Sequence, residues 1–502
     1  MKSRLLGLSA IAAKRTWRLA IRLTTMLLLL CLAIIVGFTL YAVNELPPLQ
    51  PWHTEHLHEE FSATKHGTID FEGYLRREDR LFDELRHKTA EWDTKNDAYI
   101  HSRFNPASPF HRLANGAPFN RSFTLSHPKP VGHALLIHGL TDSPYSMKAL
   151  AEALHARAFE VTVLRLPGHG TLPSMMTEMR LRDWTAAVRI AARHVASRTP
   201  ASQLFYIGGY SSGGTLALQY TLDSLGDEPL RKPDRVLLVS PAINLTRLAA
   251  LANIIDLLGV VPLQGLEKVH WQAIIAEYDP YKFNSFPVNA TRQINRATKA
   301  LQRALVNARD SGLIARMPPV ITWQSVVDST VGADGAADIL YPHLDGPQHR
   351  LVLFDVNRHQ GLSSVQRPES KALIDALSQA TRGYTLDVVA NVNPESRQVS
   401  INRLNPEGET STIETALNWP DHIVSAGHVA LPFPPDDPVY GFMPGSGRDG
   451  IPSIGSWLLR GEDGAIAISL GALNRLRSNP FWPLIDADVG EIVASDLEKQ
   501  KH

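Results

Sequence analysis

The chain has 502 residues, 44% hydrophobic and 20% charged, values of a globular protein and not of a disordered, collagen-like or coiled-coil one. Fifty basic residues balance fifty acidic ones, which argues against a nucleic-acid partner. The one cysteine, Cys31, excludes a disulfide framework and a cysteine-built zinc site.

The charge balance hides an asymmetry at the N-terminus. Residues 1–22 carry Lys2, Arg4, Lys14, Arg15, Arg18 and Arg22 and no acid. Residues 23–43 then run without a charge (LTTMLLLLCLAIIVGFTLYAV). As a helix that stretch is about 31 Å long, enough for a hydrocarbon core of ~30 Å. The expectation is a basic cytoplasmic segment (1–22) and a single-pass anchor in the inner membrane (23–43), with the rest of the chain on the periplasmic side. A cleaved signal peptide would have a shorter apolar region and a small-x-small site, and Leu40-Tyr41-Ala42 is a poor one. A lipoprotein anchor would want a small residue before Cys31, where Leu30 stands, so Cys31 reads as a lipid-facing apolar residue.

Residues 44–114 are polar and read as a helical stalk or an arm packed on the main body, with a helix around Tyr74–Arg86. His53, His56 and His58 read as part of a solvated segment and not as a metal site. Residues 115–383 read as the main domain, and from Gly132 strands and helices alternate. Strands are expected at RSFTL (from Arg121), His133–Ile137, Glu160–Leu166, Gln203–Gly208 and Arg235–Ser240. Helices are expected at Ser146–Arg157, Asp183–Ala196 and Gly213–Leu225. Such alternation implies a mostly parallel sheet with helices on both faces, an α/β fold. Residues 244–316 interrupt it with amphipathic helical sequence. The strand Pro319–Val327 resumes it, Arg350–Asp355 reads as the last parallel strand and Pro368–Thr381 as a closing helix. Residues 384–502 read as an α+β extension with hairpins at Tyr384–Ala390/Arg397–Leu404 and Ser456–Arg460/Ala465–Leu470, the second turning at Asp463-Gly464.

Gly209-Tyr210-Ser211-Ser212-Gly213 joins a strand directly to a helix, the setting of a nucleophile elbow. The turn is too tight for side chains two positions before and after the serine, hence Gly209 and Gly213. Ser212 is the rival nucleophile, but Tyr210 stands two residues before it. Backbone amides of Ser212 and of Leu140, in the loop opened by His138-Gly139, would form an oxyanion hole, with Gly139 allowing close approach. His138 would orient this loop, and Asp142 or Ser143 would cap the helix that follows. Asp328, at the end of its strand, is the expected orienting acid, with Asp334, Asp338 and Asp355 as rivals. Two histidines compete for the role of base. His359, just after the strand RLVLFD, stands in the expected place. His428 lies far downstream, before a proline-rich loop.

With LLIHGLTDSPYSMKALAEAL, VTVLRLPGHGT, the RDWTAAV that follows, GGYSSGGTLAL, and the Asp328 and His359 positions, the sequence resembles the α/β-hydrolase superfamily over residues 115–383. The nearest branch is the carboxylesterase, monoacylglycerol lipase and serine aminopeptidase-like group. The resemblance implies an α/β-hydrolase fold with a helical cap at 244–316 that forms an acyl pocket, and a structural role for His169 in Leu166–Gly170. The anchor, the stalk and the extension depart from the family pattern, and the extension is what leaves the histidine open. The expected activity is a membrane-anchored serine hydrolase that cleaves lipid-like acyl esters through an acyl-enzyme, with no cofactor and no metal. The alternatives are transfer to an acceptor alcohol by the same residues, or a non-catalytic binding module on a hydrolase fold. Leu251, Ile254, Ile255 and Leu258 would line the cap.

Overall fold

The computed structural model describes residues 2–44, 47–67, 69–92, 97–100, 102–111, 119–226, 229–244, 267–443, 453–457, 461 and 469–501. Its elements follow the apolar patterning closely in the first part of the chain. Helix α1 (Lys2–Asn44) contains the uncharged stretch. Helix α2 (Phe71–Ala90) is the long helix of the arm, capped by the Asp70 carboxylate, which accepts the Gly73 amide. Then come β1 (Phe123–Leu125), β2 (Gly132–Ile137), α3 (Lys148–His155), β3 (Phe159–Leu164), α4 (Leu181–Arg198), β4 (Leu204–Tyr210), α5 (Ser212–Asp223) and β5 (Arg235–Val239). Strands β2 to β5 are buried throughout, as continuous apolar runs in a covered parallel sheet should be.

A short antiparallel ribbon, β6 (Trp271–Ala273) with β7 (Phe286–Pro287), and the long helix α6 (Val288–Asp310) fill the interruption before β8 (Val320–Ser325). The described part of the cap is thus a ribbon and one helix. Residues 245–266, with Leu251, Ile254, Ile255 and Leu258, lie outside the described residues. After β8 the chain forms β9 (Arg350–Phe354), α7 (Glu369–Gln379), β10 (Thr385–Asn391), β11 (Gln398–Leu404), β12 (Thr410–Asn418) and α8 (Trp482–Gln500).

The sheet has ten strands in the order β1-β3-β2-β4-β5-β8-β9-β10-β11-β12. Strand Arg350–Phe354 is not the last parallel one. Strand β10 pairs parallel with β9, Leu386 opposite Leu351, and the expected hairpin to β11 and a third strand β12 extend the same sheet antiparallel. The boundary drawn at 383/384 therefore falls inside a continuous hydrogen-bonded sheet. Helix α7 supplies the crossover that parallel pairing requires. The expected hairpin at Ser456–Arg460/Ala465–Leu470 lies mostly outside the described residues; at its described ends, Ile454–Ser456 is a 3-10 turn and Leu470–Leu473 is helical.

Two cores sandwich the sheet. On one face Trp184, Leu216 and Leu301 of α4, α5 and α6 pack on it; on the other, Leu150 and Leu154 of α3 pack with Ile485 and Val489 of α8. Helix α8 is bound by polar contacts as well. Asp496 accepts from Nε and Nη2 of buried Arg235 at 2.6 and 2.7 Å and from the Tyr206 hydroxyl at 2.6 Å. The Trp323 indole donates to Asp488 at 2.7 Å.

The arm is packed on the body, not a free stalk. Buried Arg165, at the end of β3, pairs with Glu60 at 2.9 Å and Glu78 at 3.1 Å, and the Tyr74 hydroxyl donates to its carbonyl at 2.7 Å. The first three histidines of the arm go to separate partners: His53 is buried and bonds Ser285 at 2.9 Å, His56 faces Glu178, and His58 faces Glu84. His53 is therefore no part of a solvated segment.

Candidate active site

Strand β4 passes into α5 through Ser211, whose φ of 55° and ψ of −120° are strained for a residue with a side chain. Ladder contacts hold it there: its amide donates to Val239 at 3.0 Å, and its carbonyl accepts from Ala242 at 3.0 Å. The two glycines are required by space. A Cβ on Gly209 would lie 2.3 Å from the Gly213 carbonyl carbon, and one on Gly213 would lie 2.0 Å from the Ile137 oxygen. Ser211 lines a cavity of about 410 Å³, whereas the Ser212 hydroxyl is buried and has no hydrogen-bond partner among the described residues.

Opposite the elbow, the loop after β2 is tied down on both sides. The His138 Nδ1–H donates to the Gly139 carbonyl at 2.8 Å, and its Nε2 accepts the Leu166 amide at 3.0 Å. Burial drives its pKa far below the ordinary histidine value, so the ring stays neutral and orients the loop. His169 is likewise buried, with its pKa pushed down to about 4, and its Nδ1–H donates to the Pro167 carbonyl. Thr141, next to Leu140, has φ 65°, and its carbonyl accepts the Phe283 amide from the cap ribbon at 2.8 Å. Asp142 does not cap a helix. It pairs with Lys282 at 3.2 Å, and Ser143 precedes a 3-10 turn without a side-chain cap bond.

Asp328 follows β8 in a tight turn. Its Oδ1 accepts the amides of Thr330 at 2.9 Å and Val331 at 3.0 Å; its Oδ2 accepts Gln324 Nε2 at 3.1 Å and His428 Nδ1 at 3.0 Å. Burial alone would raise this carboxyl's pKa. The His428 ring and the two amides outweigh burial and hold it below the ordinary value. With Nδ1–H given to a carboxylate, Nε2 of His428 is left as the lone-pair nitrogen, the tautomer a general base needs. His428 starts the 3-10 turn His428–Ala430. The Tyr210 ring packs beside it with centroids 4.9 Å apart, and the Tyr210 hydroxyl donates to its carbonyl at 3.4 Å. Ser211, Leu140 and His428 line the same cavity.

His359 does not meet Asp328. Its Nδ1 accepts the Gly361 amide at 3.3 Å on a half-buried turn. The cause is the continuation of the sheet: the loop after β9 is fastened to the end of β10, with the Arg358 amide donating to Asn391 and Gln360 to the Pro394 carbonyl. The same loop carries the segment leading to His428. Asn357 donates its amide to Val424 at 2.8 Å and its side chain to the Ile423 carbonyl at 3.1 Å. The rival acids are occupied elsewhere, Asp334 by Asn244 and Asp355 by Arg358, and Asp338 lies on the turn Gly335–Leu340.

Phe283, Phe286, Ile294 and Val331 give the cavity an apolar side. Sequence reading missed the cap ribbon's part in the site. The only local hint of it was the aromatic-rich stretch around Tyr278–Phe286.

A family model described as "Alpha/beta hydrolase family" matches residues 134–393, about half of the chain, and ends before His428. A thermostable monoacylglycerol lipase of Bacillus sp. (strain H-257) is 40% identical over 89 residues, 18% of this chain and 34% of that protein. The chain thus spans about a third of the length of that curated relative. Among solved structures, the monoacylglycerol lipase of Paleococcus ferrophilus aligns at 19% identity and a TM-score of 0.35, covering 51% of this chain and 97% of that one. A soluble variant of the Saccharomyces cerevisiae monoglyceride lipase aligns at 14% identity and a TM-score of 0.34, covering 47% and 82%.

Proposed function

The chain belongs to the alpha/beta hydrolase family, and from that premise we propose that it is a serine hydrolase of carboxylic acyl esters, tethered to a membrane by its N-terminal helix. The Ser211 hydroxyl attacks the ester carbonyl, and Nε2 of His428 takes its proton. Asp328 holds the imidazole by its Nδ1–H and stabilises the imidazolium that forms. The amides of Leu140 and Ser212 receive the oxyanion, a contribution of about 10²–10³ in rate per donor. His428 then protonates the leaving alcohol, and water, activated by the same ring, releases the acid.

The observation that carries this reading is the 3.0 Å bond between His428 and Asp328, made at the wall of the cavity that also holds Ser211. The apolar side of that cavity suits an acyl chain, and the monoacylglycerol lipase relative supports a lipid-like ester. Tethering is supported by α1: Trp17–Tyr41, whose most apolar 18-residue window has a mean hydropathy of 2.6, is long and apolar enough to cross a membrane. The basic residues before it favour a cytoplasmic N-terminus and a catalytic body on the far side.

A fluorophosphonate probe tests the chemistry. It should label the folded protein and fail on Ser211→Ala; a folded wild-type chain that takes no label contradicts the reading. Alkaline carbonate washing tests the tether: the full chain should stay with membranes, and its release would contradict anchoring.

A further inference from the structure

The polar side of the cavity beside Ser211 is formed by Gln272, Lys282, Asn284 and Arg475. Each carboxyl or carboxamide group on this side already has a partner on one oxygen. Gln272 Oε1 accepts the Thr291 hydroxyl at 3.1 Å, and Asn284 Oδ1 accepts the Asp279 amide at 3.1 Å. Asp142 Oδ1 faces Lys282 Nζ at 3.2 Å. What remains for a ligand is donors: the two carboxamide nitrogens, the further protons of the Lys282 ammonium, and the Arg475 guanidinium. Arg475 is exposed and gives one bond to the Thr330 hydroxyl at 3.3 Å. Among the described residues it has no carboxylate partner. Two cations thus stand against one carboxylate on the described lining.

A wall of donors discriminates between headgroups. A glycerol or sugar brings hydroxyl protons that need acceptors, and here they would compete with Lys282 for Asp142. A carboxylate or phosphate brings acceptor oxygens alone and gains charge-assisted bonds to the guanidinium and ammonium. We propose that the preferred ester carries an anionic oxygen group, a carboxylate or a phosphate, received by Arg475 and Lys282 with the amides of Gln272 and Asn284, while its apolar part lies against Phe283 and Val331. The inference rests on the serine-hydrolase reading and adds the substrate class to it. Arg475 comes from the segment just before α8, so the C-terminal region would supply recognition as well as the base.

The test uses the full chain in detergent and two matched pairs of esters. One pair is 1-lauroyl-glycerol and 1-lauroyl-glycerol-3-phosphate; the other is 4-nitrophenyl valerate and mono-4-nitrophenyl glutarate. At least one anionic member should be favoured in kcat/KM by about tenfold or more, the size of one hydrogen bond to a charged group. That preference should shrink at about 0.5 M salt. Arg475→Gln should collapse the anionic-to-neutral ratio, and Arg475→Lys should keep part of it. The pair that shows the preference separates phosphate from carboxylate. Ratios at or below one in both pairs, or a ratio untouched by Arg475→Gln, overturn the proposal while leaving the hydrolase reading intact. Turnover of none of the four esters, together with no labelling of Ser211, overturns the hydrolase reading itself and this proposal with it.

Discussion

The sheet from β2 to β8 and the region from β10 to α8 contribute to one site in opposite ways. In the first, each candidate site residue sits within a few residues of a strand end: Leu140 after β2, Ser211 after β4, Asp328 after β8. In the second, His428 lies ten residues past the end of β12 and reaches the site through a loop pinned by Asn357 and Tyr210. The first region positions chemistry by local backbone geometry, and the second by long-range anchorage. The C-terminal region is built into the same body as the strands before it: it completes the sheet, covers one face with α8, and brings the His428 imidazole to Asp328.

Breaking the joint between the two regions should have the largest effect. Asp328→Asn removes the carboxylate that fixes the His428 tautomer and should lower kcat by about 10⁴ with the fold retained. A circular-dichroism spectrum unlike the wild type would show instead that the residue acts structurally. Next, Asp496→Ala leaves the buried Arg235 guanidinium and the Tyr206 hydroxyl unpaired and should cost about 3–5 kcal/mol in denaturant unfolding. A loss under about 1 kcal/mol would mean that α8 is not integral to the sheet.

The smallest expected effect concerns the arm, the counterpart that supplies packing without chemistry. Burial lowers the His53 pKa to about 3, against an ordinary value near 6.5. The folded state therefore binds fewer protons than the unfolded one between those values, and the stability that neutral His53 supports is lost as pH falls from about 6.5 toward 3. At pH 5 the cost is about 2 kcal/mol. The drop in Tm between pH 7 and pH 5 should be smaller in His53→Gln than in the wild type, and equal drops would contradict it.

The legibility of the two regions follows from the same contrast. Strands β2 to β5, β8 and β9 show as buried apolar runs, and the elbow shows through glycines that space demands at 209 and 213. The parallel pairing of β10 with β9 does not show, because Thr385–Asn391 reads equally well as one arm of a hairpin, which it also is. Once that pairing is missed, the loop after β9 looks free to carry the base, and His359 takes precedence over His428. Helix α8 escaped notice in part because Asp488 and Asp496 look like solvent-facing acids until Trp323 and Arg235 are beside them. Asp142 reads as a cap because its partner Lys282 lies 140 positions away in the cap ribbon.

The central claim is that the base comes from the C-terminal region, and one paired measurement tests it most directly. Steady-state hydrolysis of a short 4-nitrophenyl ester is compared for His428→Ala and His359→Ala, each checked for wild-type thermal unfolding. The account predicts a loss of about 10⁴ or more in kcat for His428→Ala, the scale of losing a triad member, and turnover within about twofold of wild type for His359→Ala. Near-normal turnover by folded His428→Ala, with the loss falling on His359→Ala, would contradict it.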